Sequence, residues 1–458
     1  MTGTAAPLRI SVIGCGYLGT VHAVAMAALG HDVVGIDVDA DRIALLAAGR
    51  APFFEPGLPE RLESGLASGR LRFSADMGEA AAADLHFVCV GTPQSADGDA
   101  ADLTAIFAAT EALATHLSPG SVVAGKSTVP VGTAVRIADM LETAGAALVW
   151  NPEFLREGRA IADSLSPDRI VIGVGRTGEE QGQGGAHGHG RRPGQGADAI
   201  GILRTAYAPM LDLGTPLVVT DLATAELVKG AANAYLATRI SFMNAMADVA
   251  ERAGADISGL AEALGHDERI GPHYLRAGIG FGGGCLPKDI RAFAARATEL
   301  GAKAPAALLA TVDDINLSQR SGLVVSITDH FGGAVAGRKI AVLGAAFKPD
   351  SDDIRDSPAI DIALELHRLG ANVTVTDPAA LANVAGRYPE LSLTGDLTDA
   401  VRGAECLVIA TEWAEYREID PVAAAELVAE QTVFDGRNCL DRASWAAAGW
   451  HYRGIGRR

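Results

Sequence analysis

The sequence predicts an α/β protein in which two doubly wound parallel-sheet domains are joined by a central helical domain, and three observations lead there. Short β-branched runs alternate with Ala- and Leu-rich stretches from residue 8 to about 175, the pattern of βα units that bury a parallel sheet between helices. From 222 to 254 the chain turns helical, free of proline and apolar on more than one face, as a helix packed on several sides must be. Beyond residue 339 the strand, turn, helix, strand-Asp plan of the N-terminus returns, so the chain carries two related halves. With 458 residues there is room for about three domains, assigned as 1–205, 206–325 and 326–458.

The first strand, 8–13, runs into Gly14-Cys15-Gly16-Tyr17-Leu18-Gly19 and an Ala-rich helix to Gly30. A second strand, 32–36, ends on Asp37. This is G-x-G-x-x-G between a strand and a helix, with an acid about 20 residues on, the Rossmann-like signature of a dinucleotide site. Gly14, Gly16 and Gly19 let the backbone approach a pyrophosphate seated on the helix N-terminus, with Tyr17 and Leu18 between them. Asp37 is placed for the adenosine ribose and repels a 2′-phosphate, so NAD is expected in preference to NADP; Arg42 softens that preference. Strands follow at 84–90, 121–125, 147–150 and 169–174. The loops after three of them, Val90-Gly91-Thr92-Pro93, Lys126-Ser127-Thr128-Val129-Pro130 and Asn151 to Gly158, lie where a doubly wound sheet collects its ligands.

Composition then breaks. Between Gly178 and Gly196 there are eight glycines among Gln, His and Arg, so residues 176–197 are expected to form a mobile surface loop. His187 and His189 there lack further ligands, and no metal is expected. On the central helix Lys229 and Asn233 are four apart, one turn along a single face, a cation and an amide suited to an oxyanion. Gly280-Phe281-Gly282-Gly283-Gly284-Cys285-Leu286-Pro287-Lys288-Asp289 then presents one thiol in a glycine turn. Glycines admit a ligand to the backbone, and the Lys288 cation favours thiolate, so Cys285 is a candidate nucleophile. Helical residues 305–331 lead to strand 339–344, a helix from Pro358 to Leu369, and strand 372–377. This half keeps only Gly344 of the three glycines, which suits a mononucleotide better than a second dinucleotide.

A net charge of −18 argues against nucleic acid or an anionic membrane surface as partner, since both require a basic footprint. No apolar run reaches about 18 residues, and the N-terminus lacks a charged segment followed by an apolar one, so a cytoplasmic location is expected. The five cysteines show no C-x-x-C pairing, which points to free thiols, with Cys89 and Cys406 in apolar strands of the core.

Taken in order, GCGYLG at 14–19, VGTP at 90–93, KSTVPVGT at 126–133, NPEFLREG at 151–158, AELVKGAANAYLATRISFMN at 225–244, DERIGPHYLRAGIGFGGGCLPKD at 267–289 and AFKPDSDDIRDSPAI at 346–360 resemble the UDP-glucose/GDP-mannose dehydrogenase family over nearly the whole chain. The resemblance implies a four-electron, NAD-dependent oxidation of a nucleotide sugar, UDP-glucose before GDP-mannose or UDP-N-acetylmannosamine, through a thiohemiacetal and a thioester on Cys285. It makes Lys229 and Asn233 the oxyanion pair, and Thr128, Glu153 and Asp289 the groups that handle protons and orient water. It places Thr92, Thr128, Glu157, Lys288 and Arg355 at the cofactor. At the sugar nucleotide it places Glu153, Phe154, Leu155, Arg156, Glu157, Lys229, Asn233, Arg269, Tyr274, Phe281, Gly282, Cys285, Phe347, Lys348 and Arg437, with Arg269 reaching a neighbouring subunit's site. The glycine- and histidine-rich tract and Gly284, where Ser is more usual, depart from the family pattern. With the apolar central helix, the resemblance implies a homodimer or a higher even-numbered homo-oligomer. Two other classes fit parts of the chain. A two-electron hydroxyacid-type dehydrogenase shares the first two domains but needs no thiol, and a non-catalytic NAD sensor would leave the cation, amide, thiol and carboxylate unexplained.

Overall fold

The computed structural model describes residues 6–175 and 195–457; most of the glycine- and histidine-rich tract lies outside them. The chain divides into two compact units, residues 1–232 and 233–458.

The first unit is built on an eight-stranded sheet of order β3-β2-β1-β4-β5-β6-β7-β8. Its strands are β1 (Arg9–Ile13), β2 (Asp32–Ile36), β3 (Leu71–Ser74), β4 (Leu85–Val88), β5 (Val122–Gly125), β6 (Ala147–Trp150), β7 (Ile170–Val174) and β8 (Leu217–Asp221). The reversal of order at β1 and β4 is the switch point of a doubly wound sheet, where loops part and a ligand crevice opens. Central strands such as RISVI, LHFV and ALVW are apolar almost throughout and buried on both faces, as parallel strands covered by helices must be. One pair departs from the expected parallel plan: β7 runs antiparallel to β6, with Val149 opposite Val174. The connection between them carries the six-residue helix Ala160–Leu165. Helix α1 (Tyr17–Ala28) follows β1, and α2 (Thr133–Glu142) lies between β5 and β6.

Helix α3 (Leu222–Ala253) contains the boundary between the units. In the second unit, Tyr235, Phe242 and Val249 recur every seven residues along α3 and are 63%, 51% and 56% exposed, an apolar seam along the helix. Helices α4 (Leu286–Glu299) and α5 (Lys303–His330) follow. A six-stranded, all-parallel sheet of order β11-β10-β9-β12-β13-β14 completes the unit. Its strands are β9 (Lys339–Leu343), β10 (Asn372–Thr376), β11 (Ser392–Leu393), β12 (Cys406–Ile409), β13 (Thr432–Asp435) and β14 (His451–Gly454), with α6 (Pro358–Arg368) between β9 and β10.

The repeat is visible in hydrogen bonds. Asp37 accepts from the turn amide of Cys15 at 2.7 Å, and Asp377 accepts from those of Ala345 and Ala346 at 2.8 and 3.0 Å. Asp377 also takes the amides of Ala379 and Ala380 and the Trp413 indole. Its lone pairs are therefore consumed by the fold, and the second half cannot offer this acid to a ribose.

Candidate active site

The turn after β1 requires its glycines. Gly14 has φ of +89°, and a Cβ on Gly19 would lie 1.7 Å from the carbonyl oxygen of Gly14. A Cβ on Gly16 would meet nothing within 4 Å, so this residue faces open space, and α1 starts with no side chain capping its first amides. Those amides remain available to an anion, so the residues present fit a dinucleotide pyrophosphate. Asp37 is buried; besides Cys15 it takes the amide of Asp39 at 2.9 Å and Arg42 at 3.0 Å, while Arg42 also pairs with Asp39 at 3.2 Å. Three donors leave about one lone pair free for a ribose hydroxyl. Tyr17 donates to Glu55, whose carboxylate also takes the amides of Gly158 at 2.6 Å and Ala160 at 2.7 Å. One buried acid thus joins the glycine turn to the end of the 151–158 loop. Leu18 packs at the margin of the core of this unit.

The three loops expected to converge do so. Thr92 Oγ1 donates to the carbonyl of Thr128 at 2.7 Å, and Ser127 Oγ donates to that of Val90 at 2.6 Å. Lys126 Nζ donates to Asn151 Oδ1 at 3.2 Å, and Tyr207 reaches the same oxygen at 2.6 Å. Glu153 accepts the amide of Leu155 and borders a cavity of about 60 Å³ with His22, Lys126, Asn151 and Tyr207, polar enough to hold a few waters. Burial raises the Glu153 carboxyl above its ordinary range, opposed by the charges of Lys229 and Lys126. Burial likewise lowers the Lys126 ammonium, with Glu153 acting against it. Lys229 is buried, its Nζ 5.8 Å from the centroid of the Phe154 ring. Glu157 is close enough to Tyr17 to act on it electrostatically, whereas Arg156 forks onto Asp163 at 2.6 and 2.8 Å. Sequence reasoning missed Glu226, three residues before Lys229, whose oxygens accept from Gly132 at 2.8 Å and Ala134 at 2.6 Å and so cap α2.

In the second unit Cys285 is exposed and stands at the N-cap of α4, where the helix dipole favours negative charge. Cys15, Cys89 and Cys406 are buried, with Cys89 just past β4 rather than within it. Lys288 Nζ pairs with Asp289 Oδ1 at 2.6 Å, and Asn233 Nδ2 donates to Asp289 Oδ2 at 2.7 Å. The structure therefore brings together Asn233, Asp289 and Lys288 just behind the thiol. Arg355 forks onto Asp353 at 2.7–3.0 Å. A Cβ on Gly284 would lie 2.2 Å from its guanidinium carbon, so the guanidinium lies against the thiol loop at this glycine. A Cβ on Gly283 would meet the Phe347 ring at 2.7 Å, and Lys348 lies over the same ring at 5.3 Å. Arg437 spends its three guanidinium nitrogens on the carbonyls of Ala410, Gly280 and Phe347 at 2.7, 2.8 and 3.1 Å, bracing the loop. Phe281 packs its ring into the core with Ala237 and Ile290, and Gly282 meets Asp356 through its backbone. Tyr274 has φ of +61° and is partly exposed, and Arg269 is exposed and pairs with Asp267 at 2.6 Å.

Comparison with known proteins accounts for these features together. Models of the NAD binding, central and UDP binding domains of the UDP-glucose/GDP-mannose dehydrogenase family match residues 8–184, 223–318 and 341–442. A UDP-glucose 6-dehydrogenase of Rhizobium meliloti is 40% identical, over 98% of this chain and 100% of its own length. One from Pseudomonas aeruginosa is 38% identical over 98% of each. The solved structure of a UDP-glucose dehydrogenase from Pyrobaculum islandicum superimposes with a TM-score of 0.88 at 35% identity, covering 100% of both chains. By its three matched domains and by these relatives, the chain belongs to the UDP-glucose/GDP-mannose dehydrogenase family.

Proposed function

We propose that this protein oxidises the C6 hydroxymethyl group of UDP-glucose to the carboxylate, at the expense of two NAD, through a covalent intermediate on Cys285. The observation that carries the reading is the exposed thiol at the N-cap of α4, with Asn233, Asp289 and Lys288 bonded together behind it. A two-electron alcohol dehydrogenase has no use for such a residue. The names of the relatives support UDP-glucose over other nucleotide sugars.

NAD, held by the glycine turn and Asp37, supplies the hydride acceptor for both oxidations. The proton that leaves the C6 hydroxyl passes to a water linked to Thr128, on the loop tied to Thr92, or to the buried Lys229 in its neutral form. Cys285 Sγ then bonds to the aldehyde carbon while the thiol proton passes to the carbonyl oxygen, giving a thiohemiacetal. Loss of a second hydride and the hydroxyl proton leaves a thioester. Water oriented by Glu153 or Asp289 adds to it, the C–S bond breaks, and the proton returns to sulfur. Lys229 and Asn233 stabilise the oxyanion formed at each addition, an effect of about 3 kcal/mol per donor in comparable sites.

The seam of Tyr235, Phe242 and Val249 supports a homodimer or larger even-numbered assembly, in which Arg269, exposed and paired with Asp267, reaches a neighbouring site. Among the described residues no helix is long and apolar enough to cross a membrane. The test is to incubate the protein with NAD and a panel of UDP- and GDP-sugars and measure NADH against acid formed. Two NADH per UDP-glucose is expected; one, with free aldehyde accumulating, overturns the covalent step, and a stronger response to another sugar overturns the substrate.

A further inference from the structure

The loop that ends at Cys285 is rich in glycine and has little geometry of its own, so its path is dictated from outside. Asn316 on α5 is buried, and its amide reads both backbone groups of one loop residue: Oδ1 accepts from Phe281 N at 2.7 Å, and Nδ2 donates to Phe281 O at 3.0 Å. Arg320, one helical turn on, donates Nη2 to the same carbonyl at 2.9 Å. Its Nη1 is gripped by Asp356 at 2.9 Å and by Asp361. Asp356 is held in turn by Arg291 at 2.8 Å, and Arg291 by Asp313 at 2.8 Å. Contact with the loop is close enough to demand glycine twice. A Cβ on Gly280 would lie 2.5 Å from Asn316 Oδ1, and one on Gly282 would lie 2.2 Å from the Asp356 carbonyl oxygen.

This arrangement is costly to the fold. Arg320 is a buried cation whose Nε finds no partner among the described residues, and Asp356 adopts a left-handed φ of +49°. A buried ion cluster with an orphaned donor and strained backbone is rarely the most stable way to fill space. Its return lies in where it acts, four residues before the thiol. The loop amides nearer the thiol are tied as well, Gly283 N to the Arg355 carbonyl at 2.9 Å and Gly284 N to Asp353 at 3.3 Å.

We propose that Asn316 and Arg320, acting through the backbone of Phe281, are positioning residues that set Cys285 for capture of the aldehyde and so decide whether oxidation runs to the acid or stops after one step. The inference rests on the reading that Cys285 captures the aldehyde. Capture forms one C–S bond, moves the thiol proton to the carbonyl oxygen and needs no further reactant. It competes with hydration and escape, and it depends on an approach of about 3–3.5 Å between sulfur and carbon. Substrate and cofactor need not bind differently for the partition to change.

The test compares the wild type with Asn316→Ala and with the conservative Arg320→Lys, which keeps the cation but loses the fork. NADH formed per UDP-glucose consumed is measured with semicarbazide present to trap aldehyde, alongside the rate of Cys285 alkylation by iodoacetamide. In the variants the ratio is expected to fall from two towards one, with trapped aldehyde making up the difference. Acid formation should slow by about 10²-fold, the loss typical of misplacing a reacting group by about 1 Å, while KM for NAD stays the same. A merely structural role would lower thermal stability and active fraction but leave the ratio at two. Folded variants that keep a ratio of two and the wild-type alkylation rate overturn the proposal. A wild type that itself yields one NADH removes the reading of Cys285, and the proposal with it. If Asn316→Ala does not fold, Arg320→Lys decides alone.

Discussion

Removing the Glu226 carboxylate tests whether α3 holds the Thr128 loop in place. Its two oxygens are the caps of Gly132 N and Ala134 N at 2.8 and 2.6 Å, and Gly132, at φ of +100°, has no side chain to do the same work. In Glu226→Ala two amides at the start of α2 lose their acceptor in a buried place, where each unmet donor costs about 1–3 kcal/mol. The charge at the helix N-terminus is lost too, a further ~0.5 kcal/mol. Allowing for relaxation, about 2–4 kcal/mol is expected, or a fall in Tm of about 5–15 °C for a unit of this size. Glu226→Gln keeps one acceptor oxygen and should lose about half as much. Differential scanning calorimetry of the ligand-free protein at a fixed scan rate reads both. The Lys126 to Val131 loop runs directly into this cap and carries Thr128, so NAD turnover should fall in the same order, Ala before Gln. A Glu226→Ala protein that melts within about 1 °C of wild type would refute the reasoning, because it would mean the two amides are satisfied without the carboxylate.

Three further outcomes follow from the same structure. Burial raises the Glu153 carboxyl while Lys126 draws it down, so the acid limb of the rate of acid formation should lie above the ordinary glutamate range, and Lys126→Met should move it to higher pH; a limb unmoved by that change would exclude the coupling. Because the folded protein binds this proton more tightly than the unfolded chain, the stability contributed by protonated Glu153 is full below the ordinary glutamate value and is lost as pH rises through the raised one, so Glu153→Gln should raise Tm at neutral pH and not at pH about 4. Phe242→Glu, in the middle of the exposed seam of α3, should convert the assembly to monomer by light scattering, and an unchanged mass would place the subunit contact elsewhere.

Much of the architecture was legible because its signals are local. The strand, glycine turn, helix and acid from Arg9 to Asp37 lie within thirty residues, and the long helices at Leu222–Ala253, free of proline, and Lys303–His330, with proline only in its first turn, are continuous helical patterns. The antiparallel direction of β7 was not legible, since the composition of a buried strand is the same whichever way it runs. The site divides in the same way. Cys285 announces itself by glycines on its N-terminal side and ionisable groups behind it, and Lys229 and Asn233 by their four-residue spacing. The resemblance places Arg437 at the sugar nucleotide, and in the structure three of its bonds go to backbone carbonyls. Arg156 is likewise turned onto Asp163.

What remained hidden is the set of buried polar groups that hold the loops of the candidate site from a distance. Glu55 reaches residues more than a hundred positions away, Glu226 reaches back over ninety, and Asn316 and Arg320 act on Phe281 from a helix that follows it. A faint signal existed. Asn316, Gln319 and Arg320 interrupt an apolar helical face at helical spacing, and all three are buried. Since a buried polar group is retained at a cost unless its bonds are met, such an interruption marks a place where the helix must bond to something outside itself. Here that something is the loop that carries Cys285, the proposed nucleophile, so the polar breaks in an apolar helix pointed to the same candidate site as the thiol did, but only once the fold had brought the two together.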